Sequence, residues 1–304
     1  MVSLIRFAGV IALLSCLFST LVSAEEAAPN KANDELGEEL ESIYLRWRKA
    51  IETKDIKEWV ASSTRYSRVN IRNAIVSRKM KFPDAFFENP MRPPALEKLK
   101  HIHSIAVGDT AQSVYFGRVD FQLTPGDFNI PNSLFVLRFL KEADGWRFDS
   151  TQLMSMANMP DLEKKIIGGD YSFLDDDIFI PPGVAPKVPE QCPIPQVAGH
   201  FELVSIGYET SFSVNGYPQP SIANNGGSHI ILGGLKSGFN KIEVSTRKIA
   251  PPVMEDGTRA DSLLEIRIFA LRGNIDDEVS ELLYEFKPKT VKPKFMVQIR
   301  GSGD

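Results

Sequence analysis

The most informative shortage in this chain is that of cysteine. Its 304 residues include only Cys16 and Cys192, and Cys16 lies in an N-terminal segment that we predict to be removed. The mature chain can then form no internal disulfide, so its domains must be held by their own apolar cores. Cys192 has no histidine near it in sequence, and we interpret it as a free thiol without a catalytic role.

The chain also lacks a large excess of charge and any strong catalytic motif. It has 35 basic and 39 acidic residues, a balance that argues against general nucleic-acid binding. The spacing of a metal site, a nucleotide loop or a hydrolase triad is missing. Four aspartates among residues 170–177 lack the central glycine and final glutamate of a calcium loop. We therefore predict neither a metal nor a cofactor.

The first 24 residues have the features of an export signal. Arg6 supplies a positive charge, residues 7–22 form an uncharged apolar run, and small residues lead up to Ala24. We predict cleavage after Ala24, a flexible lead-in over 25–34, and a protein of the bacterial periplasm or cell exterior without a stable membrane span. A retained membrane anchor and a lipoprotein with lipidated Cys16 are the alternatives.

A cluster of prolines divides the rest of the chain. Six prolines lie among residues 180–196, and because proline lacks an N–H and fixes φ, this segment can be neither a helix nor a central strand. We predict an α+β domain over 35–178, a connector over 179–197 and an all-β domain over 198–304. Two domains are also what this length favours.

The first domain is predicted to begin with helices and to end with strands. Apolar residues from Leu36 to Ile51 recur at steps of three and four, which indicates a long amphipathic helix. Asp55 is placed to cap a second helix, and a third is predicted over 68–80. Period-two alternation predicts strands near residues 99–107, 111–123, 133–141 and 145–153. Gly108-Asp109 and Asp144-Gly145 are predicted hairpin turns.

Basic residues without an acidic neighbour run from Arg65 to Lys81. We interpret them as a solvated face that balances the acidic first helix, with binding of an anion or an acidic surface as the alternative.

The order of these elements resembles the nuclear transport factor 2-like superfamily, which includes ketosteroid isomerase-like and SnoaL-like domains. The residues that carry the resemblance are the Asp144-Gly145-Trp146-Arg147-Phe148 hairpin and the helices before it. It covers about residues 35–155 and implies a curved sheet wrapped around helices as a cone with a pocket. It also makes a homodimer through the open sheet face plausible.

If the cone is open, its histidines and tyrosines are the candidates for chemistry. His101 and His103 lie two apart on a predicted strand and would share one face. Tyr115 lies on an apolar face and, beside a histidine, is the best acid–base candidate. Tyr44 and Phe135 are candidates for ligand binding. Further polar residues without an assigned role are Asp120 and Asp149.

The second domain is predicted to be a separate antiparallel β-sandwich. Seven strand-sized segments are separated by turn residues such as Asn215-Gly216 and Gly233-Gly234, and we interpret residues 224–227 as another turn. Segments 213–216 and 234–244 resemble immunoglobulin-like and carbohydrate-binding sandwich domains of bacterial exported proteins. The lysines among residues 287–294 suit protection of a sheet edge.

Three functions fit these features. We predict a non-catalytic exported binding or scaffold protein of the cell envelope, which binds a partner protein or a small ligand. One alternative is an enzyme of the ketosteroid isomerase or dehydratase type, which needs polar groups facing an apolar cavity. The other is a glycan-binding module in which Tyr208, Phe212, Tyr217 and Phe239 stack on sugars. A scaffold would have the cone filled by residues such as Phe135, Leu137 and Phe139.

Overall fold

The computed structural model describes residues 34–89, 91–121, 130–254, 257–273 and 279–301. The predicted export signal lies outside these residues. The described chain divides into two units. The α/β unit comprises residues 34–70 and 86–189, and the β-rich unit comprises residues 71–85 and 190–301. The second unit thus includes a short segment from the first half of the sequence.

The helices begin and end close to where the sequence predicts them. Asp55 accepts hydrogen bonds from the backbone of Lys57 and Glu58 at 3.0 and 3.1 Å, which confirms its role as a cap. The first helix buries Leu40 and Tyr44 on its predicted apolar side. The helices are α1 (Asp34–Thr53), α2 (Ile56–Ser62), α3 (Arg65–Ser77), α4 (Asp84–Phe87) and α5 (Pro160–Ile167).

Four antiparallel strands form the sheet of the α/β unit, in the order β1-β2-β3-β4. The hairpins at Gly108 and Gly145 lie at the predicted positions, and both glycines have positive φ. A Cβ on Gly108 would lie 2.2 Å from the carbonyl oxygen of Gly183, so a larger residue would displace the connector. The strands are β1 (Lys100–Val107), β2 (Thr110–Arg118), β3 (Asn132–Glu142) and β4 (Gly145–Ser155).

Both faces of this sheet are covered by the unit's own residues. On one face α1 packs over Tyr115, Phe135 and Phe139, which we call the α1-side core. On the other face α5 and short 3₁₀ turns over 172–179 pack on Val114, the α5-side core. The resemblance implied that a partner copy would use an open sheet face, whereas this face is occupied by residues that follow β4.

The β-rich unit is built around one long strand, β5, that changes partners along its length. Residues 199–206 of β5 pair with β9, and residues 208–214 pair with β8. Gly207 lies between them with φ +73°, and a Cβ there would lie 2.4 Å from Ser262 Oγ. The strands are β5 (Gly199–Val214), β6 (Tyr217–Pro218), β7 (Ile222–Ile230), β8 (Phe239–Lys248), β9 (Leu263–Arg272), β10 (Val279–Phe286) and β11 (Lys294–Arg300).

All seven strands belong to one hydrogen-bonded sheet rather than to two separate ones. The rings of Phe286 on β10 and Phe295 on β11 lie 4.5 Å apart, so the sheet curls until its end strands meet through side chains around one core. Helices and antiparallel sheets place the chain in the α+β class. The predicted turn at 224–227 is wrong, because these residues lie inside β7; the exposed glycines there suggested a loop.

The proline-rich segment forms no regular secondary structure over 180–196, as predicted, yet it is held in place within each unit. In the α/β unit, Gly183 accepts a hydrogen bond from the Asp109 backbone at 2.8 Å and donates one to Thr110 Oγ1 at 2.9 Å. The connector therefore lies along the β1–β2 hairpin.

Candidate functional site

The two histidines of β1 do not share a face. The pairing of β1 with β2 shifts register between His101 and His103, so His101 lies opposite Tyr115 and His103 lies opposite Val114. A bulge of this kind adds one residue to one strand and redirects the side chains that follow. The expectation of a shared face assumed an unbroken period of two, which Ile102 interrupts.

His101 and Tyr115 come together on the α1 side of the sheet, with ring centroids 5.2 Å apart. His101 Nε2 lies 2.8 Å from Ser104 Oγ, and Ser104 Oγ lies 2.8 Å from Ser113 Oγ. The Tyr115 hydroxyl donates to Glu41 Oε2 of α1 at 2.9 Å. We call Glu41, His101, Ser104, Ser113 and Tyr115 the polar cluster, and it is the strongest candidate for chemistry in the α/β unit.

The protonation states in this region limit what it can do. Burial, followed by the hydrogen bond to Glu41, raises the pKa of Tyr115 far above its ordinary value. Burial and the neighbouring His101 lower the pKa of His103. Tyr115 thus keeps its proton and can act only as a hydrogen-bond donor. Its hydroxyl already donates a hydrogen bond to Glu41. Ser104 and Ser113 are both buried, so neither is open to a substrate.

The ligand-binding candidates of the α/β unit, one on α1 and one on β3, are part of the core. Tyr44 and Phe135 are fully buried, as are Leu137 and Phe139. The hydroxyl of Tyr44 donates to the carbonyl oxygen of Pro94 at 2.7 Å, and its ring contacts Phe148 edge to face. These side chains fill the space that an open cone would leave for a ligand.

The aromatic candidates of the β-rich unit are dispersed. Tyr208 packs against the core of the curled sheet, and Phe212 is buried within it. Tyr217 donates its hydroxyl proton to the carbonyl oxygen of Glu190. Phe239 is 67% exposed. A flat sugar-stacking surface would therefore depend on Phe239 more than on the two tyrosines named from the sequence.

A buried asparagine that sequence analysis missed organises the β-rich unit. Asn73 of α3 is fully buried. Its Nδ2 donates to Glu190 O at 2.8 Å and to Tyr217 Oη at 2.7 Å. Its Oδ1 accepts from the backbone of Cys192 at 3.0 Å. No short motif marks an asparagine whose partners lie more than a hundred residues away, so only the three-dimensional arrangement reveals it.

Two arginines of the basic run from Arg65 to Lys81 bond to backbone carbonyl groups, a role that neither interpretation of the sequence included. Arg68 donates to the carbonyl oxygens of Val60 and Ser63 at the end of α2. In the β-rich unit, Arg72 donates to Cys192 O at 2.9 Å. These guanidinium groups satisfy backbone acceptors, which are costly to leave unpaired.

Asp149, named from the sequence without a role, is a second buried polar group of the α/β unit. It accepts a hydrogen bond from Thr64 Oγ1 at 2.6 Å, and Thr64 Oγ1 in turn accepts from the Ser67 backbone at 2.9 Å. Burial raises the pKa of Asp149 despite the hydrogen bonds from Thr64 and Ser150. The contact anchors the start of α3 to β4.

The α/β unit also has an open surface cleft of about 340 Å³. One wall comes from α1, and the other is the hairpin between β3 and β4. Both acidic and basic side chains line it, so it suits a polar surface better than an apolar small molecule. Its lining residues are Glu39, Ser42, Ile43, Arg46, Asp144, Gly145, Trp146 and Arg147.

The described residues contain no group of three or more histidine, cysteine, aspartate or glutamate side chains able to hold a metal ion. None of their helices is both long enough and apolar enough to cross a membrane.

Comparison with family models, with curated proteins and with solved structures found no match to this chain. The two family resemblances thus depend on the residues quoted for them and stay predictions.

Proposed function

We propose that this chain is an exported, non-catalytic binding or scaffold protein of the cell envelope, built from a nuclear transport factor 2-like domain and a β-rich domain similar to immunoglobulin-like domains. The observation that carries the proposal is the filled interior of the α/β unit, where Phe135, Leu137 and Phe139 are each fully buried. An interior packed with side chains has no room for a substrate, so binding must use the surface.

The mixed-charge cleft between α1 and the β3–β4 hairpin supports a surface contact with a partner protein. Ser42 lies at this cleft, between Glu39 and Arg46 along α1. Lys164 of α5 is an exposed position outside the cleft in the same unit. These two positions therefore form a matched pair for crosslinking.

The proposal is tested with a photoreactive amino acid placed at Ser42 or at Lys164 in the organism that encodes the chain. We expect a discrete protein adduct from position 42 and none from position 164. A steroid probe should not bind the purified protein in calorimetry. Absence of an adduct, combined with steroid binding that Tyr115→Phe abolishes, would contradict the proposal.

The polar cluster is the observation that favours the enzyme alternative. Burial raises the pKa of Tyr115, so its hydroxyl stays protonated and could donate a hydrogen bond to an oxyanion. For that role Glu41 would have to release the hydroxyl, which it holds at 2.9 Å. Steroid isomerase activity that falls about a hundredfold or more in Tyr115→Phe would establish this alternative.

A further inference from the structure

Strand β7 is one of the outer strands of the curled sheet. Among the residues that the structure describes, it pairs only with β5, so one of its edges is available. Residues 225–228 are exposed. Asn224, with φ +48°, interrupts the ladder between residues 222–223 and 225–230, which leaves 225–230 as a short extended edge.

This edge lacks the usual protection against pairing. Natural edge strands carry charged side chains or prolines that block association with another strand. β10 carries Glu281 and Glu285, and β11 carries Lys294 and Arg300. From Thr210 to Leu235 the chain contains no aspartate, glutamate, lysine or arginine at all. His229, the only histidine in that run, has its pKa lowered by burial and stays neutral at neutral pH.

Depletion of charge on an exposed surface is the compositional sign of an interface core. The edge of β7 consists of small residues, including Gly226, Gly227 and Ser228. They provide neither a charge nor a pocket that would favour a strand of different sequence. Two copies of the same strand would meet with no like charges opposite each other. An antiparallel pairing about a two-fold axis therefore satisfies both copies at once.

We propose that the exposed edge of β7 pairs with the same edge of a second copy of this chain and forms a two-fold symmetric dimer. This proposal is independent of the proposed function, because it concerns another unit and needs no partner protein. A six-residue edge is small for a stable interface, so we expect a dissociation constant on the order of 10 to 100 µM.

Sedimentation velocity over a range of concentrations tests the proposal on protein purified from cells that express the full chain. We expect a reversible monomer–dimer equilibrium for the natural chain. Ser228→Lys should raise the dissociation constant about tenfold or more, because the two-fold axis would bring two lysines close together across the paired strands. Ser228→Thr, which keeps the edge uncharged, should leave the equilibrium unchanged.

Gln298→Lys is the matched control on β11, since Gln298 is also an exposed strand residue of this unit. It adds the same charge elsewhere and should not alter association. Hydrogen exchange should show that the amides of 225–230 become protected as concentration rises, with melting curves confirming that each variant is folded. A natural chain that stays monomeric, or a dimer that leaves these amides unprotected, would overturn the proposal.

Discussion

The two sheets of this protein solve the problem of burial differently. In the α/β unit, β2 is buried continuously from Thr110 to Phe116, because apolar layers cover both faces of the sheet. In the β-rich unit, β5 alternates between buried and partly exposed residues, because only the inner face of the curled sheet meets a core. A sheet covered on both sides must also satisfy its polar residues internally.

That requirement explains the polar cluster of the α/β unit. Ser113 lies within the continuously buried stretch of β2 and bonds to Ser104. Gln112 points to the other face and donates to the carbonyl oxygen of Phe179. In the β-rich unit, the charged groups lie instead on the outer face, where Arg267 contacts Glu202 and Glu265.

The largest expected difference between the two units comes from truncating one phenylalanine in each. Phe139→Ala leaves a cavity in the fully buried α1-side core and should lower the free energy of unfolding by about 3 to 5 kcal/mol. Phe239→Ala removes a ring that is 67% exposed and should change it by less than about 0.5 kcal/mol.

Urea unfolding measures this difference, followed by circular dichroism of the strands for Phe239→Ala and by tryptophan fluorescence for Phe139→Ala. All three tryptophans, Trp47, Trp59 and Trp146, belong to the α/β unit, so the signal reports on the unit that contains Phe139. Equal effects of the two substitutions would refute the packing described for the α1-side core.

A smaller effect is expected from Asn73→Ala in the β-rich unit. The substitution leaves the backbone N–H of buried Cys192 without its partner and removes one of two donors to the carbonyl oxygen of Glu190. We expect the free energy of unfolding to fall by about 2 to 3 kcal/mol. Urea unfolding followed by circular dichroism of the strands measures this change. Asn225→Ala, at an exposed position on β7, is the matched control and should have almost no effect.

The smallest effect concerns pH and His229. Burial holds the pKa of His229 below its ordinary value of 6.5, so the unfolded chain takes up a proton that the folded chain refuses. The β-rich unit should therefore lose stability as pH falls below about 6.5, by at most about 1.4 kcal/mol per pH unit. Within the described residues, Nδ1 of His229 has no hydrogen-bond partner. His229→Phe therefore removes no hydrogen bond at this atom.

Thermal melts of the β-rich unit between neutral and mildly acidic pH provide the measurement. His229→Phe should weaken the pH dependence of the melting temperature of this unit. His103, whose pKa is also lowered by burial, supplies the comparison, because His103→Phe should flatten the tryptophan-monitored melt of the α/β unit instead. If His229→Phe leaves the pH dependence of its unit intact, the titration belongs to another group.

Local signals predicted local structure well. Asp55 as a helix cap and Gly145 as a hairpin residue depend on neighbours within a few positions, so composition and spacing suffice to find them. The register shift at Ile102 and the strand through Asn224 depend on pairing partners, which alternation alone does not specify. Tyr115 was correctly assigned to an apolar inner face, but its contact with Glu41 required knowing where α1 crosses the sheet.

The assignment of residues 71–85 to the β-rich unit has a consequence for synthesis. On the ribosome this segment is synthesised more than a hundred residues before its partners Glu190 and Cys192. Asn73 therefore cannot form these hydrogen bonds until the second half of the chain has emerged. Cutting the chain at 189/190 would likewise produce two incomplete fragments. The first would carry a segment without its partners, and the second would lack the asparagine that joins its strands to its connector.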